Sequence, residues 1–350
     1  TPDVGLFALD EVDAIVMLSS ISYYLSALNI GIAMKALITG GAGFIGSHLS
    51  DVLLSRDCQV VVLDDLSTGS MDNIGHLIDN PDFSCVIDTV LNEMVLDRLV
   101  SDCDVVYHLA AAVGVQLIVQ QPVHTIRTNV EGTNCVLKAV RRYCKKVIIA
   151  STSEVYGKSS KVPFAEGDDT VSGPTTKHRW AYACSKAIDE FAAFAMAKES
   201  DVPVCVVRLF NTVGVRQSGQ YGMVIPNLVG QALSNEPITV FGDGDQTRCF
   251  ANVADITRAM ADLLDHPEAE GEVINLGSDK EVTINELART IRDVLGSQSD
   301  IVHISYAEAY EDGFEDMMRR VPDLQKAGRL LGYAPTIDLE QTSLEVGGRA

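Results

Sequence analysis

Three glycines at three-residue spacing interrupt an otherwise apolar stretch near the start of the chain, in the segment "KALITGGAGFIGSHL". They are Gly40, Gly43 and Gly46. The preceding "KALIT" is typical of a short strand. Apolar residues in 44–57 recur at helical spacing, which predicts a helix. A second apolar run, "CQVVVLDD", ends in Asp64 and Asp65. Strand, glycine turn, helix and acidic strand end together predict a βαβ unit that binds a dinucleotide.

Each glycine has a physical role in such a unit. The first permits a tight turn, the second lets a pyrophosphate approach the backbone, and the third permits close packing of helix on strand. The helix N-terminus faces the anion. Asp64 lies 24 residues after Gly40, where a carboxylate accepts hydrogen bonds from ribose hydroxyls and repels a 2′-phosphate. We therefore expect NAD rather than NADP.

The rest of the chain alternates between buried strands and helices. Further apolar runs occupy 83–88, 104–113, 145–151 and 203–211, with helical stretches at 117–144 and 180–200. This alternation predicts an α/β fold, a Rossmann-type doubly wound parallel sheet. After residue 216 the pattern loosens. We predict an NAD-binding Rossmann domain over 34–215 and a smaller, mainly substrate-binding lobe over 216–345 that interleaves with it.

Composition excludes some partners. The chain has 350 residues, of which 47% are apolar, and a formal net charge of −21. No basic stripe is present, so nucleic acid is not an expected partner. The eight cysteines form no CxxC pair. They are interpreted as reduced core thiols of a cytoplasmic protein, and no metal is expected.

The first 33 residues form an extension of uncertain role. Residues 14–34 carry no charged side chain, and that length would span a bilayer. The flank before them is acidic, so they lack the basic start of a secretory signal. Three interpretations stay open: an amphipathic appendage, a membrane anchor, or an upstream extension without function. The first and third are favoured, and a membrane is not an expected partner otherwise.

A candidate reaction centre lies in the middle of the chain. "STSEVYG" (151–157) ends a predicted strand, where ligand-facing side chains gather in open α/β sheets. "WAYACSK" (180–186) begins a helix with Tyr182 and Lys186 four residues apart, on one face. A nearby ammonium and a cationic nicotinamide predict a lowered pKa for Tyr182, which would make it a base. Lys186 can also hold the nicotinamide ribose, and Thr152 can hydrogen-bond the reacting hydroxyl.

Several segments together resemble the extended short-chain dehydrogenase/reductase superfamily of nucleotide-sugar epimerases, dehydratases and decarboxylases. They are "TGGAGFIG", "DDLSTG", "HLAA", "TNVEGT", "STSEVYG", "YACSK", "RLFNTVG" and "FGDGDQTRCF". The resemblance covers about residues 35–340. It implies tightly held NAD, a nucleoside-diphosphate sugar substrate and hydride removal from sugar C4. The implied NAD contacts are Gly40, Gly43, Phe44, Ile45, Gly46, Asp64, Asp65, Asp88, Thr89, Leu109, Ala110, Ala111, Asn129, Tyr182 and Lys186.

Residues 152–154 separate the members of this superfamily. The 4,6-dehydratases carry Thr-Asp-Glu, whose aspartate is an acid, whereas this chain has Thr-Ser-Glu. Ser-Glu resembles the UDP-glucuronate decarboxylases, and "GPTTKHRWAYACSK" (173–186) is similar to them as well. The implied catalytic residues are Tyr182, Lys186, Thr152, Ser153, Glu154 and Arg320. The implied substrate contacts are Asn211, Arg179, Arg248 and Arg320, with Asn211 and Arg248 on the diphosphate side.

The resemblance favours an NAD-dependent decarboxylase that converts UDP-glucuronate to UDP-xylose through a 4-keto intermediate. The alternative is a UDP-glucuronate or UDP-glucose 4-epimerase. A 4,6-dehydratase with a relocated acid and a nucleotide-binding scaffold without turnover also stay open. Family members resemble homodimers that bury the two long helices in a four-helix bundle, so we expect a homodimer here.

Overall fold

The computed structural model describes residues 33–114, 120–219, 223–305, 317 and 319–348. In chain order its strands are β1 (Lys35–Thr39), β2 (Gln59–Asp64), β3 (Phe83–Ile87), β4 (Val105–His108), β5 (Lys146–Thr152), β6 (Val204–Leu209), β7 (Thr212–Val213), β8 (Ile238–Phe241), β9 (Thr247–Cys249), β10 (Ala251–Asn252), β11 (Val273–Leu276), β12 (Glu281–Thr283) and β13 (Ile301–Ile304). Its helices are α1 (Phe44–Leu54), α2 (Glu93–Ser101), α3 (Pro122–Tyr143), α4 (Arg179–Ser200), α5 (Val224–Ser234), α6 (Val253–Asp262), α7 (Ile284–Val294), α8 (Gln325–Leu331) and α9 (Leu339–Val346).

Seven strands form one parallel sheet in the order β11–β6–β5–β4–β1–β2–β3. Successive side chains of a strand point to opposite faces, so adjacent residues of β1 enter different cores. Ile38 packs in a cluster with residues of α1 and α6, and Leu37 in another with residues of α2 and α3. Helices therefore cover both faces, and the predicted doubly wound fold is confirmed.

The predicted strands match the sheet closely, with one shorter than expected. The apolar run 104–113 predicts a long strand, but β4 ends at His108. Beyond it, Asn129 of α3 binds the backbone of Ala112: its Oδ1 accepts from the Ala112 N–H at 2.8 Å. A side chain has thus replaced the neighbouring strand as the partner of this backbone.

The later part of the chain builds smaller elements around a separate apolar cluster between α5 and α7. Helix α7 begins with a capping box between Thr283 and Glu286. Antiparallel β9 and β12 and parallel β8 and β13 form two further pairs. Strand β11 returns to the central sheet and pairs with β6. Residues Lys35–Ala350 form one compact unit, and the division near residue 215 stays a prediction.

All eight cysteines are free. Four are buried, but Cys144 and Cys184 are exposed, so the expectation of core thiols is wrong for those two. They lie at the end of α3 and on the outer side of α4, where apolar neighbours in sequence do not imply burial. No helix within the described ranges is long and apolar enough to cross a membrane. The extension of residues 1–33 and the uncharged segment 14–34 lie outside the described residues, except for positions 33 and 34. Their interpretations stay predictions.

Candidate active site

The glycine loop lies between β1 and α1 at the carboxyl end of the sheet. Gly40 has a φ of +73°, and a Cβ there would lie 2.7 Å from the backbone nitrogen of Ala110. A Cβ on Gly46 would lie 2.4 Å from the Gly40 carbonyl oxygen. Gly43 precedes α1 without a capping side chain, and the first turn, with Phe44 and Ile45, holds no acidic residue. A tight loop and an uncapped helix N-terminus fit a pyrophosphate.

Two acidic strand ends lie beside this loop. The buried Asp64 carboxylate accepts hydrogen bonds from the backbone N–H groups of Ala42 at 2.9 Å and Leu66 at 2.8 Å. Burial raises the pKa of Asp64, and these backbone donors act in the opposite direction. Asp88 follows β3 and accepts from the N–H of Thr89 at 2.7 Å. Asp65 is exposed and accepts from the Ser67 N–H.

The neighbouring strand end adds the remaining predicted cofactor residues. Leu109, Ala110 and Ala111 follow β4 directly, and Ala110 abuts Gly40. Asn129 is buried and donates to the Ser185 hydroxyl at 3.1 Å. Asn129 thus joins α3 to α4 and holds the backbone that follows β4. The predicted NAD residues follow the carboxyl ends of β1 to β4 or lie on α1, α3 and α4 beside them, an arrangement that fits a dinucleotide.

Tyr182 lies near the end of β5, where the Thr152 hydroxyl acts to lower the pKa of the phenol. Burial, the largest effect, raises the pKa of Tyr182, and the Glu154 carboxylate raises it further. The Thr152 hydrogen bond and the Arg320 charge lower it, but the net direction is upward. The expectation of a lowered pKa is therefore wrong for the protein chain by itself. One reason is that the Lys186 ammonium pairs with Asp189 at 2.8 Å, and Asp189 also raises the pKa of Tyr182.

Glu154 is held between two arginines from distant parts of the chain. Its Oε2 accepts from Nη1 of Arg179 at 3.0 Å, and its Oε1 from Nη2 of Arg320 at 3.2 Å. Arg320 also donates to Oδ1 of Asn211 at 3.3 Å. Arg179 begins α4 and lies 5.5 Å from the Trp180 ring centroid. The structure thus brings four predicted site residues together in one polar cluster.

Ser153 and Arg248 flank this cluster. Ser153 is 1% exposed, and its hydroxyl has no hydrogen-bond partner among the described residues. Such an orphaned buried hydroxyl in a polar site is suited to meet a ligand. Arg248 is buried on β9 and donates to the Thr247 carbonyl at 2.7 Å. The next residue of β9, Cys249, accepts from Asn211 Nδ2 through its carbonyl at 3.0 Å.

Sequence reasoning missed the residues behind Lys186. Asp189 is buried and pairs with Lys186 three residues earlier on α4. Thr133 of α3 lowers the pKa of Asp189 as a hydrogen-bonding neighbour, and His108 of β4 contacts Thr133. The available signal was an acidic residue at i+3 from the lysine, on the same helix face. The Thr133 and His108 contacts cross between elements and have no local pattern.

The arrangement can exchange a proton with a sugar hydroxyl at Tyr182 and bind anionic groups at the arginines. Planar guanidinium groups pair well with carboxylate and phosphate. A phenol, a carboxylate, a serine hydroxyl and two guanidinium groups therefore meet at the carboxyl end of β5. Within the described part of the chain, no group of three or more His, Cys, Asp or Glu side chains is arranged to hold a metal.

Comparison with known proteins places this arrangement in context. A family model described as GDP-mannose 4,6 dehydratase matches residues 37–345. A UDP-N-acetyl-α-D-glucosaminuronate decarboxylase of Bacillus cytotoxicus is 40% identical over 308 residues, covering 88% of this chain and 94% of that protein. The UDP-glucuronic acid decarboxylase 1 of Xenopus tropicalis is 36% identical over 310 residues, covering 88% of this chain and 70% of that protein.

A solved structure shares the fold and is also similar in sequence. It is the UDP-glucuronic acid 4-epimerase of Bacillus cereus in complex with UDP-glucuronic acid and NAD. It superposes with a TM-score of 0.80 at 30% identity, covering 90% of this chain and 98% of that one.

Proposed function

Since the chain belongs to the GDP-mannose 4,6-dehydratase family of extended short-chain dehydrogenases/reductases, we propose that it is an NAD-dependent decarboxylase of a UDP-linked uronic sugar. UDP-glucuronate is the proposed substrate and UDP-xylose the product. Relatives that bear decarboxylase names cover 88% of this chain at 36% to 40% identity, which supports decarboxylation over epimerisation.

The observation that carries the proposal is the pairing of Glu154 with Arg179 and Arg320 beside Tyr182. The 4-epimerisation of a neutral hexose needs only the tyrosine base, so it gives no reason for a carboxylate held by two arginines beside Tyr182. A uronic sugar brings its own carboxylate, for which guanidinium groups are well-matched partners. The orphaned Ser153 hydroxyl adds a donor at the same turn.

Bound NAD supplies a reversible acceptor for the hydride of sugar C4. Tyr182 takes the O4 proton, with Thr152 acting to lower the pKa of its phenol. The sugar thereby becomes a 4-ketone whose carboxylate is β to the carbonyl. The C–C bond to that carboxylate breaks, CO₂ leaves, and the electron pair delocalises into the C4 carbonyl as an enolate.

The second half of the reaction protonates C5 and reduces C4. A proton taken up from solvent passes through Ser153 and Glu154 to C5, and the enolate collapses to the ketone. Tyr182 then returns its proton to O4, while the bound cofactor would supply the hydride for C4. Arg320 and Arg179 stabilise the negative charge of Glu154 and of the substrate carboxylate. Because the site is enclosed, these groups are already in position and little solvent has to reorganise during the reaction.

The direct test is incubation of the purified full chain with UDP-glucuronate, followed by measurement of CO₂ and of the nucleotide sugar. Release of CO₂ with UDP-xylose supports the proposal. Formation of UDP-galacturonate without CO₂ would overturn it in favour of 4-epimerisation, the activity named for the Bacillus cereus structure.

A second substrate has a specific observation in its favour. The Bacillus cytotoxicus relative, at 40% identity, is named for the 2-acetamido uronate. The same incubation with UDP-N-acetylglucosaminuronate compares the two sugars, and the higher kcat/KM identifies the substrate. If neither sugar loses CO₂, decarboxylation is excluded.

We further infer that two copies pair through α3 and α4. Large apolar side chains are exposed along these helices: Val123, Ile126, Ile188 and Phe191. A cleft of about 580 Å³ lies between residues of α2, α3 and α4. Exposed apolar patches of this kind are typical of interfaces, and a second copy presents a matching surface by symmetry. The eight free cysteines support a cytoplasmic location, where thiols stay reduced.

A further inference from the structure

Lys186 is held in a buried ion pair. Its Nζ donates to Oδ2 of Asp189 at 2.8 Å, and the two side chains are 2% and 1% exposed. A pair so deeply buried needs further hydrogen bonds to offset desolvation. Thr133 on α3 acts on Asp189 as a hydrogen-bonding neighbour that lowers the pKa of its carboxyl. Lys186 is therefore held by a carboxylate that faces a hydroxyl of a second helix.

The hydrogen bonds continue from Thr133 to the first strand of the sheet. Nε2 of His108 lies 3.1 Å from Oγ1 of Thr133, and Nδ1 of His108 lies 2.8 Å from Oγ1 of Thr39. The Ala110 N–H donates to the same Thr39 oxygen at 3.3 Å. Thr133, His108 and Thr39 are thus joined by hydrogen bonds into a chain, and Thr133 faces the Asp189 carboxyl that holds Lys186.

The chemistry of the groups fixes the direction of this chain. An ionised carboxylate only accepts, so the Thr133 hydroxyl donates to Asp189 and accepts from Nε2–H of His108. Burial, followed by the Lys186 charge, lowers the pKa of His108 to about 3. The imidazole is therefore neutral near pH 7, and its Nδ1 accepts from the Thr39 hydroxyl. In this direction each donor finds an acceptor.

We propose that Asp189 is a positioning residue for Lys186, and that Thr133, His108 and Thr39 tie this pair to the glycine loop in one directional hydrogen-bonded chain. The inference rests on the proposed function for the role of Lys186 toward NAD. Asp189 is 1% exposed, so it acts by holding the lysine.

Thr39 connects the hydrogen-bonded chain to the glycine loop. Thr39 immediately precedes Gly40, and Gly40 packs against Ala110, whose N–H binds Thr39. The loop that receives the pyrophosphate and the lysine that receives the nicotinamide ribose are therefore joined through the interior. The pyrophosphate and the nicotinamide ribose of a bound dinucleotide therefore meet groups whose spacing is set by five side chains.

The first test reads the His108 tautomer and needs neither cofactor nor sugar. Nuclear magnetic resonance of isotope-labelled histidine distinguishes a protonated Nε2 from a protonated Nδ1. The wild-type protein should have the proton on Nε2 at neutral pH. In Asp189→Asn the new amide can donate to Thr133, which reverses the chain and moves the proton to Nδ1. A wild-type proton on Nδ1, or no change in the variant, would overturn the chain.

The second test measures NAD affinity by calorimetric titration of the full chain. Asp189→Asn should raise the dissociation constant by about tenfold or more, as expected for the misplacement of one charged hydrogen-bonding group. The matched control is Asp255→Asn, another wholly buried aspartate in an i,i+3 pair, with Arg258. The control should leave NAD affinity and the His108 tautomer unchanged. An equal loss of NAD affinity in both variants would mean that Asp189 has only a structural role.

A third pair of variants decides the matter if Asp189→Asn does not fold. Thr133→Val removes the donor to Asp189 with little change in shape, and Thr133→Ser restores it. We expect weaker NAD binding in the first and recovery in the second. Equal affinity in both would overturn the proposal. Because these readouts use no sugar, they stay decisive even if the decarboxylase assignment fails.

Discussion

The ionisation of Tyr182 depends on two charged neighbours with opposite effects. Glu154 raises its pKa and Arg320 lowers it, against a background of burial and Asp189, which raise it, and Thr152, which lowers it. The phenol is a base only when deprotonated, so hydride transfer should increase as the pH rises through this pKa. Neutralising either neighbour therefore moves the profile in a known direction.

We predict that Glu154→Gln moves the pH midpoint of nicotinamide reduction downward and that Arg320→Gln moves it upward, each by about one pH unit. The measurement is the single-turnover rate of NADH formation against pH. Arg319→Gln is the matched control, because Arg319 pairs with Glu281 on the exposed side. Shifts of the same sign in both site variants would contradict the electrostatic account.

The same Glu154→Gln variant separates oxidation from decarboxylation. Removal of the carboxylate deletes the proposed relay to C5 but leaves Tyr182, Thr152 and Lys186 in place. We expect NADH to form while release of the decarboxylated sugar falls on the order of 100-fold, the usual contribution of a proton-transfer group. Product analysis at equal enzyme-bound NADH measures this ratio. Formation of UDP-xylose at the wild-type rate would remove Glu154 from the mechanism.

At the scale of elements, the β1–loop–α1 unit offers a test of backbone geometry. Gly40 and Gly271 both have positive φ, but a Cβ on Gly271 meets nothing, whereas one on Gly40 meets the backbone of Ala110. Gly271→Ala should cost about 1 kcal/mol of unfolding free energy from backbone strain alone. Gly40→Ala should cost more and should also weaken NAD binding. Urea unfolding and NAD titration measure both, and equal effects would contradict the role of the close approach to Ala110.

Elements with a strong local pattern were predictable from sequence. The glycine loop, β1, β2, β5 and the two long helices follow from apolar spacing and turn chemistry, since burial on both faces leaves continuous apolar runs. The end of β4 was not, because Asn129 rather than a strand pairs with the backbone there. The short β11 joins the central sheet from within the later lobe, and no periodicity marks that pairing.

The candidate site was predictable only in part, because some of its contacts join residues that are far apart in the chain. Tyr182 and Lys186 share a helix face, so their proximity follows from spacing. Arg320 reaches Glu154 across 166 residues, which only the resemblance could suggest. The raised pKa of Tyr182 depends on burial, which no local pattern reveals.

At the scale of the whole molecule, the exposed apolar surface of α3 and α4 predicts a dimer. Phe191 is 74% exposed on α4. We expect Phe191→Asp to produce a monomer, because a charge at the centre of an apolar interface stays desolvated and unpaired. Light scattering across a range of protein concentrations measures the mass. Ile78→Asp, at an exposed apolar residue outside α3 and α4, should leave the mass unchanged, and a monomeric wild type would refute the interface.

Strand β11 closes the sheet against β6, although residues 210–272 separate them in the chain. During synthesis on the ribosome, six of the seven parallel strands therefore emerge well before the last. Until Val273–Leu276 arrives, β6 offers an open row of backbone groups to any passing strand. A fragment that ends near residue 215 lacks β11, so its β6 stays unpaired along that side. This fragment should bind chaperones and aggregate. We therefore expect that the predicted NAD-binding domain over 34–215 does not fold stably by itself.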